Sequence, residues 1–295
     1  MKRLTLTAGV LAFAVSGAAA GHVVGAISPT DDTDGVLQVG LPVLLSAVLY
    51  LRGYLRQRGS SPRVWAFFGG LAVLTASLLP PLDRWSANSF AFHMTQHELL
   101  MLIAAPLMVL GRPLPYFLWG MPDSWRPGMA RAVRHRAVRA TWATLLNPTL
   151  AWLLHAVVLW VWHAPAFFDA ALRNQGIHDL QHLSFLISAL LFWSALLEER
   201  VRERQGASVL YLFTTTVHTG VLGALLTFAG HPWYEAYASI PPQWNLAPLE
   251  DQQIGGLIMW VPASVVYVGV GLALLGRWIA GSDAYSTAID SRCDT

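Results

Sequence analysis

An all-α integral membrane protein, a seven-transmembrane-helix bundle with its amino terminus outside and its carboxyl terminus in the cytoplasm, is the expectation from three observations. The 295 residues are 55% hydrophobic, only 12% are charged, and the apolar residues gather in long runs separated by Arg-rich or acidic segments. A soluble domain carries about 25% charged residues, so this chain lacks the polar surface that a water-soluble fold of its length needs. Disordered and nucleic-acid-binding readings fall for the same reason. The single Cys, Cys293, excludes an intramolecular disulfide, a CxxC redox pair and a thiolate cage. Any metal would have to be held by imidazole, carboxylate or thioether.

The elements follow in chain order. Met1-Lys2-Arg3, an apolar run from Leu4 to Val15 and Ala18-Ala19-Ala20 have the order of a secretory signal, so residues 1–20 read as a cleaved signal peptide, or as an extra amino-terminal helix. Residues 21–35 would form a periplasmic tail, 36–276 the membrane domain and 277–295 a cytoplasmic tail. A spanning helix needs about 20 mostly apolar residues, because the hydrocarbon core is about 30 Å thick. Seven stretches qualify: Val36 to Leu51, Val64 to Pro80, Phe90 to Leu110, Leu150 to Ala166, His178 to Leu197, Val209 to Ala229 and Ile254 to Leu275. The first two are short and rely on their flanks.

Charge orients these spans. Arg52, Arg56, Arg58, Arg63, six arginines between Arg112 and Arg139, then Arg200, Arg202, Arg204 and Arg277 fall on one side, against Arg84 and Arg173 on the other. The positive-inside rule places the Arg-rich side in the cytoplasm. Asp31, Asp83, Asp169, Glu235 and Asp251 fall outside. The long loop from Gly111 to Pro148 is basic, and its middle is expected to lie as a helix on the inner surface, in contact with membrane lipids. Trp85, Trp162, Trp233 and Trp278, near span ends, read as interfacial anchors.

The ten His carry the functional signal. His93 and His97 open the third span from outside, His163 ends the fourth, and His178 and His182 open the fifth, so five imidazoles share one outer level. Both pairs are spaced i, i+4, which places two rings on one helical face. Ten scattered His would give about 0.3 such pairs by chance. Imidazoles are costly to keep near hydrocarbon without a purpose, and neutral ring nitrogen suits copper, zinc or iron. Glu98, Asp179 and Asp251 are candidate acceptors for ring N–H groups, and Met94 and Met101 offer soft sulfur, which favours copper. His155 and His218 lie roughly 12 to 15 Å deeper, as helix-to-helix hydrogen bonders or inner relay positions.

Other chemistries remain open on residues alone. HDLQH at 178–182 has two-His metal spacing with Asp179 where a metalloprotease has Glu, so a seven-span zinc hydrolase is one alternative. A bis-His haem protein is another, with ligands drawn from different helices. HELLM at 97–101 misses the two-His motif, because Met101 stands in the second position.

Three runs carry a resemblance: HMTQHELLMLIAAPLMVLGRPL from His93, WHAPAFFDAALRNQGIHDLQHLSFLISALLFW from Trp162, and LAPLEDQQIGGLIMWVP from Leu246. In that order they resemble the CtaG-type, multi-spanning cytochrome c oxidase assembly factors of bacteria, over residues 36–276. The resemblance implies a protein of the bacterial cytoplasmic (inner) membrane that supplies copper to the oxidase catalytic subunit, beside its high-spin haem. It also implies a metal site facing the periplasm, a periplasmic copper donor, and no enzymatic turnover. His93, His97, His163, His178 and His182 match the family's His positions. Asp251 with Gln252 and Met259 with Trp260 match its last-helix motif, which makes Met259 a further candidate ligand.

Overall fold

The computed structural model describes residues 29–57, 62–197, 205–241 and 244–293, and the expected signal segment 1–20 lies outside them. Among the described residues every element is helical. All seven apolar stretches are helices: α1 (Pro29–Arg56), α2 (Arg63–Leu78), α4 (Phe90–Glu98) continued through a π-helical turn (Leu99–Ala104) into α5 (Ala105–Leu110), α9 (Pro148–His163), α11 (Gln175–Leu197), α12 (Gln205–Thr227) and α14 (Pro248–Cys293). Shorter helices connect them: α3 (Leu82–Ser86), α6 (Pro113–Gly120), α7 (Arg126–Arg134), α8 (Arg136–Leu145), α10 (Pro165–Arg173) and α13 (Glu235–Ala238).

Four of these are long and apolar enough to cross a bilayer, and six if each of two bent pairs counts as one span. The expected seventh is α2, whose 16 residues rise about 24 Å at 1.5 Å each, short of the roughly 30 Å core. Pro80 and Pro81 follow it closely, and proline cannot continue a helix in register. The segment from 111 to 148 is not a plain loop. At Arg112, whose φ is 48°, the chain turns through 63° into the apolar α6. Gly53 and Gly120 leave room for the α6 and α1 backbones to touch, since a Cβ on either would strike the facing main chain. Helices α7 and α8 bury no side chain, and α8 meets α9 at 65°. Helix α1 begins at Pro29, inside the expected tail, and α14 runs past Leu275 to Cys293.

A main apolar core joins the bundle, with a smaller cluster of Leu146, Ala151, Leu191 and Ala195 between α9 and α11. Helices α12 and α14 cross at Gly223 and Gly256, where a Cβ would meet the opposite backbone within 3 Å. Small residues at such crossings let van der Waals packing replace the hydrophobic drive that lipid removes. The π-helical turn leaves a carbonyl without its usual partner, and the Trp193 indole N–H donates to Met101 O at 2.9 Å. The two ends of the bundle differ in chemistry. One carries Arg56, bonded to the carbonyls of Trp119 and Met121 and to Asp123, together with α7 and α8. The opposite end carries the five histidines His93, His97, His163, His178 and His182.

Candidate metal centre

Helix α4 delivers two of the imidazoles, and its start is held from across the bundle. Ser89 caps it, and the Asp251 carboxylate on α14 accepts from Ser89 Oγ at 2.6 Å, Phe90 N at 2.6 Å and Ala91 N at 3.3 Å. A carboxylate there satisfies orphan amide donors and complements the helix dipole. Gln96 adds a second tie, donating to Ser77 O at 2.7 Å and Asp83 at 3.2 Å. Helix α9 ends at His163, because Ala164 is extended and Pro165 begins α10, and α11 then returns with His178 and His182 in its first turns.

All five rings are at most 2% exposed. Ring centroids are 4.4 Å apart for His93 and His97, 5.2 Å for His93 and His178, 4.3 Å for His178 and His182, 5.1 Å for His97 and His182, and 6.3 Å for His97 and His163. His93, His178 and His182 each present a ring nitrogen within 4.8 Å of the other two. Phe168 and Phe185 wall the cluster, at 5.2 Å from His93 and 4.6 Å from His97.

Hydrogen bonds fix which nitrogens carry lone pairs. Tyr237 O–H has one proton, and Ser86 O, 2.6 Å away, can only accept it. Burial, with the Asp251 and Asp83 carboxylates adding, pushes the Tyr237 phenol well above its ordinary value, so the proton stays on. His93 Nδ1, 2.9 Å from the same oxygen, must therefore be the donor, which leaves Nε2 as a bare lone pair. His163 obeys the same logic: Nδ1 donates to Leu159 O at 2.7 Å, leaving Nε2 bare. His93 Nε2, His163 Nε2, His182 Nε2 and both nitrogens of His97 meet no hydrogen-bond partner among the described residues. A buried polar atom left so costs about 1–3 kcal/mol.

These residues fit a metal ion. Bonds of about 2.0–2.1 Å at tetrahedral angles set donors about 3.3 Å apart, so three ring nitrogens within 4.8 Å of one another would have to draw in by about 1.5 Å around an ion. The Tyr237 hydroxyl stands where a metal-bound imidazole requires an acceptor for its other nitrogen.

The remaining candidates fall elsewhere. Asp251 caps α4 and does not touch a ring, and Asp179 accepts from Gln175 at 2.8 Å. Met94 packs toward Gly255 on α14, while Met101 and Met259 are core side chains. Glu98 is buried, with no partner for Oε2 among the described residues, but stands outside the three-His group. His155 bonds Ser188 at 3.1 Å and His218 meets Trp152 edge-on at 5.4 Å, both away from the five.

The segment between α12 and α14 supplies what residue spacing did not reveal. Besides Tyr237, Tyr234 O–H donates to His163 O at 3.0 Å, and Gln252 accepts from Trp233 N at 2.6 Å. Asp169 on α10 accepts from the amides of Glu235 and Ala236, and Arg173 pairs with Glu235 at 2.7 Å. The trace in the sequence is a run of aromatics and one acid, Trp233 to Tyr237, in a long connection between two apolar spans.

Fold and site together define a multi-spanning helical membrane protein with a buried histidine centre at one end. The comparisons are more specific: the family of the cytochrome c oxidase caa3 assembly factor (Caa3_CtaG) matches residues 48–281, and the chain belongs to it. Two uncharacterized proteins, from Mycobacterium bovis and Mycobacterium tuberculosis, are each 24% identical over 269 residues, covering 87% of this chain. The chain spans 41% of the length of these relatives. No solved structure matches.

Proposed function

We propose that this assembly factor takes up a copper ion at His93, His178 and His182 and passes it to the catalytic subunit of the oxidase. The observation that carries the reading is the convergence of three imidazole donors with the His93 tautomer set by Tyr237. His97 and His163 stand beside the three and are the ligands to which an ion moves next. Copper is cargo here. Passing it on needs ligand exchange and no bond made or broken in a substrate, so the protein acts as a metallochaperone and not as an enzyme. Imidazole donors in a thiolate-free site are compatible with copper in preference to magnesium or calcium. Asp179, the residue a hydrolase would need as base, is engaged by Gln175 and stands outside the three-His group.

The Arg-rich end would face the cytoplasm and the histidine end the periplasm, where a periplasmic donor loads the site. The test is copper analysis of purified wild type beside His93→Ala/His178→Ala, with oxidase activity measured in cells carrying each. Wild type retains about one ion, and the variant loses both the ion and active oxidase. Full oxidase activity in cells carrying the variant would refute the proposal.

A further inference from the structure

Gln181 on α11 is 0% exposed, and neither its Oε1 nor its Nε2 meets a hydrogen-bond partner among the described residues. A carboxamide offers two acceptor lone pairs and two N–H donors, and a buried one is ordinarily bonded or serves a ligand. Its place on the helix says what it faces. At about 100° per residue, Gln181 lies in angle between Ser184, about 60° away, and Phe185, about 40° away on the other side. Both of these turn to the end of α9: Trp162 Nε1–H donates to Ser184 Oγ at 2.7 Å, and the Phe185 ring is 5.9 Å from that of His163. Gln181 therefore takes the flank of the three-His group that faces α9, one turn further out. His178 stands three residues before it, a spacing that makes side chains neighbours with Cβ atoms about 5–6 Å apart, and His182 follows it directly.

An amide in that place is a neutral oxygen donor, and copper in its two oxidation states answers such a donor differently. Cu(I) is soft and is satisfied by a few imidazoles, whereas Cu(II) takes a tetragonal set of nitrogen and oxygen donors. His93, His178 and His182 alone leave Cu(II) one donor short. We propose that Gln181 Oε1 is the fourth ligand of the site when the copper is Cu(II), while Cu(I) is held by imidazole alone. The inference rests on the copper reading above and adds to it the residue that sets which oxidation state the site accepts. Because the donor is neutral and borne on a flexible stem, it completes the site without closing it into a permanent cage.

The experiment titrates metal-free full-length protein in neutral detergent with Cu(II), and separately with Cu(I) under argon, against competing chelators. The Cu(II) form is also examined by electron paramagnetic resonance. Wild type binds both ions and gives a Cu(II) spectrum of three nitrogens and one oxygen. Gln181→Leu holds Cu(I) as wild type does but binds Cu(II) about 10–100-fold more weakly, the range for loss of one supporting group at a metal site. Gln181→Met keeps the unbranched shape and exchanges oxygen for soft sulfur, so it weakens Cu(II) and tightens Cu(I); it decides the matter if Gln181→Leu does not fold. Unchanged Cu(II) affinity and spectrum in the variants, or an equal loss of both ions, would overturn the role of Gln181 and leave the copper reading standing. A wild type that binds neither ion would overturn both.

Discussion

Replacing Tyr237 by Phe removes one oxygen and tests the tautomer argument directly. Two buried groups lose the hydroxyl, Ser86 O and His93 Nδ1–H, which it meets at 2.6 and 2.9 Å. At about 1–3 kcal/mol for each buried group left unsatisfied, the variant is less stable by about 2–6 kcal/mol. Stability alone does not separate positioning from packing, so the decisive readout is affinity. An imidazole without its second acceptor is free to put the proton on the ligating nitrogen, and loss of such partners costs about 10–100-fold in metal affinity. Cu(I) competition against a chromogenic chelator in detergent measures this, with thermal unfolding recorded alongside. Tyr234→Phe is the control: its hydroxyl meets the His163 carbonyl, not a ring, so stability falls while affinity holds. Equal affinities for wild type and Tyr237→Phe, with the expected loss of stability, would show that the phenol only fills space.

Three further outcomes follow from the geometry. Asp251→Asn keeps the shape but removes the charge that caps α4, so thermal unfolding should report a loss of about 1–2 kcal/mol with a smaller loss of copper than any His variant. Gly256→Leu forces a side chain into the α12–α14 crossing, and size-exclusion chromatography should show little folded monodisperse protein. His155→Phe removes the buried bond between α9 and Ser188 on α11, and should cost about 1–3 kcal/mol while bound copper, measured by mass spectrometry, stays at the wild-type level.

Helix positions and the five-His cluster were legible because their causes are local. Apolar runs and prolines act within a few residues, and an i, i+4 pair such as His178 and His182 needs only its own helix to bring the rings within 4.3 Å. Asp251 and Tyr237 were not legible in their roles, since their partners lie 160 and 144 residues away in the chain. Asp251 stood in a matching motif near the histidines, yet its oxygens go to a helix start. The third span read as ending at Leu110, and Arg112 does end it, but the apolar α6 beyond reads as loop until Gly53 and Gly120 show what it packs against. The π-helical turn is equally hidden, because its compensating donor, Trp193, sits on another helix.

The clasp formed by Asp169, Arg173 and Glu235 is solvent-facing, whereas the tyrosines it holds down are buried. An exposed ion pair contributes only about 0–1 kcal/mol, so most of what keeps this segment down is the tyrosines themselves. Cover and orientation are thereby one device. Any movement that exposes His93 also takes away the oxygen that dictates where its proton sits, so access to the site and the donor strength of its first imidazole change in the same stroke.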